Sequence, residues 1–179
     1  DKGITIDLYY SSLQKRANNT LKIIQSVTKD YKEFVRAWEL NERHYGSLTG
    51  SNKSEMIKKF GENKIHEFRR SWDIRPDPLN KDSKYHPNNI DTYKELSRDL
   101  IPDTESLKDT YERVVRYYEK EIYKKLNNKN ILISAHGNSI RALCKYLFKL
   151  DNYQISNLEI PTGNPLLVEF DENNEILKC

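Results

Sequence analysis

The stretch NILISAHGNSIRALCKYL, residues 130–147, constrains this chain more than any other. Ile131 to Ala135 is a near-continuous apolar run, the pattern of a strand buried on both faces of a parallel sheet. His136 and Gly137 follow at once, and a helical apolar pattern then runs from Ile140 to Phe148. A strand that feeds directly into a helix points to α/β layering. In such folds ligands bind beyond the carboxyl ends of the strands, which is where His136 falls. Gly137 lets the backbone turn at little steric cost. Asn138 or Ser139 can cap the helix, whose first N–H groups and dipole favour an anion. A histidine placed there can donate to, or accept, a phosphoryl group; it can equally just close a tight turn. Position alone leaves both readings open.

The rest of the chain agrees with layering. Ile4 to Tyr10 reads as a strand, and Ser11 or Ser12 can cap a helix with apolar residues at Leu13, Ala17, Leu21, Ile24 and Val27. Phe34 to Leu40 reads as a second strand, and helix resumes near Ser54 with Gly61 interrupting it. From Trp72 to Pro102 the periodicity fails. Pro76, Pro78 and Pro87 punctuate a polar stretch, an irregular excursion over 72–102 of the kind that forms functional lids. Asp103 or Thr104 then starts a helix with the stripe Leu107, Tyr111, Val114, Val115, Tyr118, Ile122 and Leu126. PLLVEF and EILKC, joined by DENN, read as a β-hairpin. The expectation is one α/β domain over residues 1–179: a mostly parallel layered sheet flanked by helices, with a terminal β-hairpin.

Composition narrows the function. A chain of 179 residues can bury a sizeable core, even at a mean hydropathy of −0.87. A net charge of +3 is too small by itself to imply a nucleic-acid partner. No run approaches the roughly 20 apolar residues of a membrane span, and no signal peptide is visible. Cys144 and Cys179 make no disulfide framework, so a cytoplasmic setting is expected. The only methionine is Met56, and the chain opens on a turn running straight into a strand and stops within another. Residues are therefore expected to be missing at both ends.

Three further clusters carry chemical side chains. Glu42, Arg43, His44 and Tyr45 follow the end of the second strand, with Lys53 close behind. Glu42 suits a general acid or base, Tyr45 a hydroxyl donor and Lys53 a phosphate ligand, although charged turns are commonly just solvated. Arg69 and Arg70, flanked by Phe68 and Trp72, offer paired forks for carboxylate or phosphate. Arg16 sits just beyond a strand end in the first turn of a helix. The four histidines, His44, His66, His86 and His136, lack a coherent metal-ligand spacing, and neither a Walker A loop nor G-x-G-x-x-G occurs.

Together the stretches YYSSLQKRANNTL, WELNERHYGSLTGSNKSE, FRRSWDI, ESLKDT, ISAHGNSIRALCKYL and NLEIPTGNPLLVEFDEN resemble the 2,3-bisphosphoglycerate-dependent phosphoglycerate mutases of the histidine phosphatase superfamily. They keep that family's order and cover nearly the whole chain. The resemblance implies a glycolytic and gluconeogenic isomerase that interconverts 3-phosphoglycerate and 2-phosphoglycerate through a phosphohistidine, with 2,3-bisphosphoglycerate as primer and no metal. It implies Glu42 as proton donor and acceptor and His136 as stabiliser of the phosphoryl group in flight. Arg16, Arg43, His44, Tyr45, Lys53, Arg69, Arg70, Gly137 and Asn138 would bind substrate. A homodimer or homotetramer is the implied assembly.

One departure stands out. The family's nucleophile is a histidine in an Arg-His-Gly motif on the first strand, and that motif occurs nowhere here. By the family's layout it would precede Asp1. A bisphosphoglycerate mutase or broader phosphomonoesterase on the same scaffold is a second reading, and a non-catalytic phosphate-binding protein a third, should the natural chain lack the nucleophile.

Overall fold

Three short parallel strands set the frame. In the computed structural model, which describes residues 3–178 apart from the side chains of Lys53 and Lys178, they are β1 (Leu8–Ser12), β2 (Phe34–Ala37) and β3 (Ile131–Ser134), in the order β2-β1-β3. Cys179 lies outside the described residues. The register pairs Tyr10 with Val35 on one side and with Ile133 on the other. Side chains alternate across a strand, so Leu8, Tyr10, Ile131 and Ile133 share one face. There they meet Tyr118, Ile122, Leu143, Tyr146 and Leu147 in the main core cluster. The other face takes helix α1 (Lys15–Thr28), which packs on β1 and β3. The Ser134 hydroxyl donates to the Ala17 carbonyl oxygen at 2.9 Å across that contact.

Helices α2 (Lys53–Phe60) and α3 (Glu62–Arg70) meet at Gly61, as the sequence suggests. Helix α4 (Leu107–Tyr117) continues into a wider π turn, Tyr118–Ile122, and packs against α5 (Gly137–Leu147). The hairpin is β4 (Glu169–Phe170) against β5 (Ile176–Lys178), antiparallel.

Several boundaries move from their sequence expectations, and the register gives the reason. Strand β1 starts at Leu8, not Ile4, because its partner β3 begins only at Ile131; the Asp7 N–H is taken by the Asn130 carbonyl at 2.8 Å. It runs on through Ser11 and Ser12, which pair with Ser134 and Ala37, so these serines are strand residues and Gln14 precedes α1 as its cap position. Strand β2 ends at Ala37, where β1 also ends, and Trp38–Leu40 turns as a 3₁₀ helix. Helix α4 starts behind Ser106, since Asp103 and Thr104 hold the preceding excursion: Thr104 Oγ1 donates to the Pro76 carbonyl at 2.7 Å. Residues 131–133 are half-buried, not buried on both faces, because β3 pairs on one side only among the described residues. Helix α6 (Asn152–Asn157) was not expected. Its signature is Asp151 with Gln154 three residues on, a reciprocal cap in which the Asp151 carboxylate accepts from the Gln154 N–H at 2.7 Å.

Candidate active site

Parallel strands end on one edge of the sheet, and all three turns beyond that edge converge. The β1 turn brings Ser12, Gln14 and Arg16; the β2 turn brings residues 41–45; the β3 turn brings His136, Gly137 and Asn138. Asn41, fully buried, locks the first two together by accepting from the Leu13 N–H at 3.0 Å.

His136 is the cap position of α5 and is 4% exposed. Ser139 fixes its backbone, accepting from the His136 N–H at 3.1 Å and donating to its carbonyl at 3.0 Å. Arg16 Nη2 lies 3.0 Å from Nδ1, and an arginine can only donate. The ring therefore offers its Nδ1 lone pair to Arg16, and the neutral form carries its hydrogen on Nε2, 2.8 Å from Ser12 Oγ. Burial lowers the His136 pKa to about 4, with Glu42 opposing and Arg16 and Arg113 assisting the fall. The ring is neutral at pH 7 and holds a donor at Nε2.

Glu42 is half-buried, and its Oε1 accepts from two backbone amides, Arg43 N at 2.8 Å and Asn138 N at 3.3 Å. Gln14 Oε1 accepts from the Glu42 N–H at 3.2 Å. At Gly137 a Cβ would lie 4.0 Å from Glu42 Oε2, so the β3 turn comes directly against the carboxylate.

Arg43 is 2% exposed; Nη2 donates to the Phe68 carbonyl, while Nε and Nη1 have no partner among the described residues. Its guanidinium stacks over the Tyr45 ring at 4.4 Å, with Arg69 over the same ring at 5.8 Å. The Tyr45 hydroxyl accepts from Asn138 Nδ2 at 2.8 Å, and Asn138 Oδ1 in turn accepts from Arg141 Nη1 at 3.1 Å. His44 Nε2 is shielded from water without a partner among the described residues, and burial brings its pKa to about 4.

A cavity of about 450 Å³ opens here, lined among others by Arg16, Glu42, Arg43, His44, Tyr45 and Arg69. Gly137, Asn138 and His136 join them through the contacts above. Arg70 is not in the cavity wall; it pairs with Glu159, and its charge joins burial in lowering the pKa of Arg141, the partner of Asn138. Lys53 begins α2, with its side chain outside the described residues. His66 is exposed on α3, and His86 is buried within the irregular segment that runs from residue 72 to the start of α4 (residues 72–106), 2.8 Å from Asp103. Sequence reasoning missed Ser12, Gln14 and Tyr93. Gln14 Nε2 donates to the Tyr93 hydroxyl at 3.1 Å, joining the β1 turn to that segment. Ser12 closes β1, and Gln14 and Arg16 follow within four residues, so nearness to a strand end was the available signal; Tyr93 carried none.

The family model of the histidine phosphatase superfamily (branch 1) matches residues 2–84 and 79–179. The 2,3-bisphosphoglycerate-dependent phosphoglycerate mutase of Pelagibacter ubique is 65% identical over 177 residues, covering 98% of this chain and 74% of that protein. The enzyme of the same name from Xylella fastidiosa strain M12 is 43% identical over 179 residues, covering 99% and 72%. Among solved structures, Bacillus stearothermophilus YhfR superposes with a TM-score of 0.62 at 15% identity, covering 98% of this chain and 73% of that one. The alpha-ribazole phosphatase of Shigella flexneri gives 0.60 at 18%, covering 90% and 66%. At such identities the likeness is one of fold.

Proposed function

Because the chain belongs to the histidine phosphatase superfamily, we propose that it interconverts 3-phosphoglycerate and 2-phosphoglycerate as a 2,3-bisphosphoglycerate-dependent phosphoglycerate mutase. One observation carries this reading: a carboxylate and three guanidinium groups face one cavity at the carboxyl ends of parallel strands, and one of those guanidiniums, Arg16, holds the neutral buried His136 beside it.

The donor surplus fits a ligand with several negative charges. Buried donors left without partners, Nε and Nη1 of Arg43, call for an acceptor that the described residues do not supply. Arg16, Arg43 and Arg69, with Tyr45 and Asn138, would hold the phosphate and carboxylate groups of the monophosphates and of 2,3-bisphosphoglycerate. The bisphosphate supplies the phosphoryl group that readies the enzyme.

In this reading Glu42 removes the proton from the attacking substrate hydroxyl and later returns one, its carboxylate held in place by two backbone amides. His136 turns its Nε2 hydrogen from Ser12 to an oxygen of the moving phosphoryl group while Arg16 secures the ring from behind. Positioning and charge stabilisation are what phosphoryl transfer mainly needs. The phosphoryl-accepting histidine implied by the Arg-His-Gly resemblance is not among these 179 residues. Residues 72–102 act as the lid over this site, supported by Tyr85, Pro87, Ile90 and Tyr93 in the cavity wall. The same resemblance supports a cytoplasmic setting and assembly as a homodimer or homotetramer. No helix among the described residues is long and apolar enough to cross a membrane.

The test is to assay the natural full-length chain with 3-phosphoglycerate, with and without 2,3-bisphosphoglycerate. Primer-dependent formation of 2-phosphoglycerate is expected. Phosphate release without isomerisation would replace the reading with a phosphatase, and binding without turnover would replace it with a phosphate-binding protein.

A further inference from the structure

Glu105 and Arg113 form an ion pair whose side chains are 1% and 8% exposed. Both belong to stretches that sequence reasoning treated as ordinary helix. Arg113 Nε donates to Glu105 Oε1 at 2.6 Å and Nη2 to Oε2 at 2.8 Å, a two-point fork. Burial alone would raise the Glu105 pKa, but the Arg113 charge and hydrogen bonds outweigh it and hold the carboxylate below its usual range.

What distinguishes the pair is where its remaining donors and acceptors go. Arg113 Nη1 donates to the Glu39 carbonyl at 2.5 Å, and Nη2 reaches the carbonyls of Asn41 at 3.1 Å and Glu42 at 3.3 Å. Glu105 Oε2 accepts from the His44 N–H at 2.9 Å, and the Glu105 N–H donates to the His44 carbonyl at 2.7 Å. One buried ion pair thus grips the backbone on both sides of Glu42, at residues 39, 41, 42 and 44. Most of that segment has no strand or helix ladder to hold it; outside the 3₁₀ turn its backbone polar groups need partners from elsewhere. Burying two charges is expensive, and an apolar pair would serve packing as well. The pair satisfies four backbone groups around one side chain, which an apolar pair cannot do.

We propose that Arg113 and Glu105 are positioning residues for Glu42, setting the carboxylate against the β3 turn for proton transfer. This rests on the mutase reading above, in which Glu42 carries the proton. Arg113 works from α4, and Glu105 works from the returning end of the 72–106 segment, so the clamp also ties that segment to the acid–base residue.

The test is a double-mutant cycle in the full-length enzyme, with Arg113→Lys, Glu42→Gln and the two combined. Lysine keeps the charge beside Glu105 but its compact ammonium cannot span three carbonyls as a planar fork does. Arg113→Lys is expected to lower kcat roughly 10- to 100-fold, the scale of a small misplacement of a reacting group. KM for 3-phosphoglycerate should stay within about 3-fold, since the substrate-binding arginines are untouched. In the Glu42→Gln background the same change should slow kcat by less than about 2-fold, because the group it positions is already gone. Thermal unfolding of the same samples reports folding. Should Arg113→Lys fail to fold, Glu105→Asp, which shortens the arm by one methylene, takes its place in the cycle. Additive losses in kcat, or a wild-type kcat with a raised KM, would overturn the positioning role and leave the mutase reading intact. A Glu42→Gln enzyme with wild-type kcat would overturn the mutase reading's proton step and this inference with it.

Discussion

His136 and His44 are held neutral at the price of acid sensitivity. Each has a pKa near 4 in the folded chain against an ordinary value of 6.5, burial being the main cause. Between those values the unfolded chain binds protons that the folded chain refuses, so stability falls as pH drops from about 6.5 towards 4. The slope should approach 1.4 kcal/mol per pH unit for each histidine at most, about the energy of one pKa unit. The carboxylates with lowered pKa, Asp30, Glu105 and Asp109, act below about 4.5, the ordinary value of Glu105, so the interval from 6.5 to 4.5 isolates the histidines. His44→Gln should flatten the dependence of Tm on pH in that interval; an unchanged slope would refute it. Glu42 is tested by turnover. Glu42→Gln should cut kcat by roughly 100-fold or more, within the range of general acid–base catalysis, with an unchanged Tm. His136→Ala should slow phosphoryl transfer by a similar factor, about the loss of one transition-state donor; single-turnover kinetics read it directly.

Individual elements hold the loops that hold those residues. The turn Gly46–Leu48 follows Tyr45 and carries the segment that faces the cavity. Gly46 has a φ of +55°, and a Cβ there would lie 2.1 Å from the Asp77 carbonyl oxygen and 2.7 Å from Thr104 Oγ1. Both neighbours belong to the 72–106 segment, and the backbone one cannot swing aside. Gly46→Ala should therefore destabilise the protein by about 1–3 kcal/mol, a strained backbone plus a forced displacement; an unmoved urea midpoint would show that the segment yields freely. At the start of α4, Ser106 Oγ accepts from the Asp109 N–H at 3.2 Å while the Asp109 carboxylate accepts from the Ser106 N–H at 2.7 Å. The S-L-K-D spelling of this reciprocal cap is plain in the sequence. Even so, the helix was expected three or two residues early, at Asp103 or Thr104. Those residues are caps by type but are spent on the excursion, a contact between distant segments that local pattern does not encode.

In the molecule as a whole, the long excursion is tied to the elements on either side of it. It is pinned at several points: the Ser47 N–H donates to the Asp77 carbonyl at 2.8 Å, the Leu79 N–H to that of Asp103 at 3.2 Å, and the Lys108 N–H to that of Trp72 at 2.9 Å. Replacing residues 77–87 by a short flexible link should raise phosphate release relative to isomerisation, since water would reach the site; unchanged rates for both would end the lid reading. The strand–His–Gly–helix junction, the Arg69–Arg70 pair and LNERHYG were legible because each lies in a short stretch whose residue types state their chemistry. By itself, then, the sequence determined the α/β layering, the strand-end placement of Glu42, Arg16 and His136, and their kinship to phosphoglycerate mutases. Only the tertiary structure decided that Arg70 turns to Glu159, that the neutral His136 carries its hydrogen on Nε2 towards Ser12, and that Glu105 and Arg113 grip the backbone around Glu42. Residue type and periodicity set which segments turn and which face is apolar. A hydrogen bond across 60 or 120 residues depends on where the folded sheet edge brings two turns together.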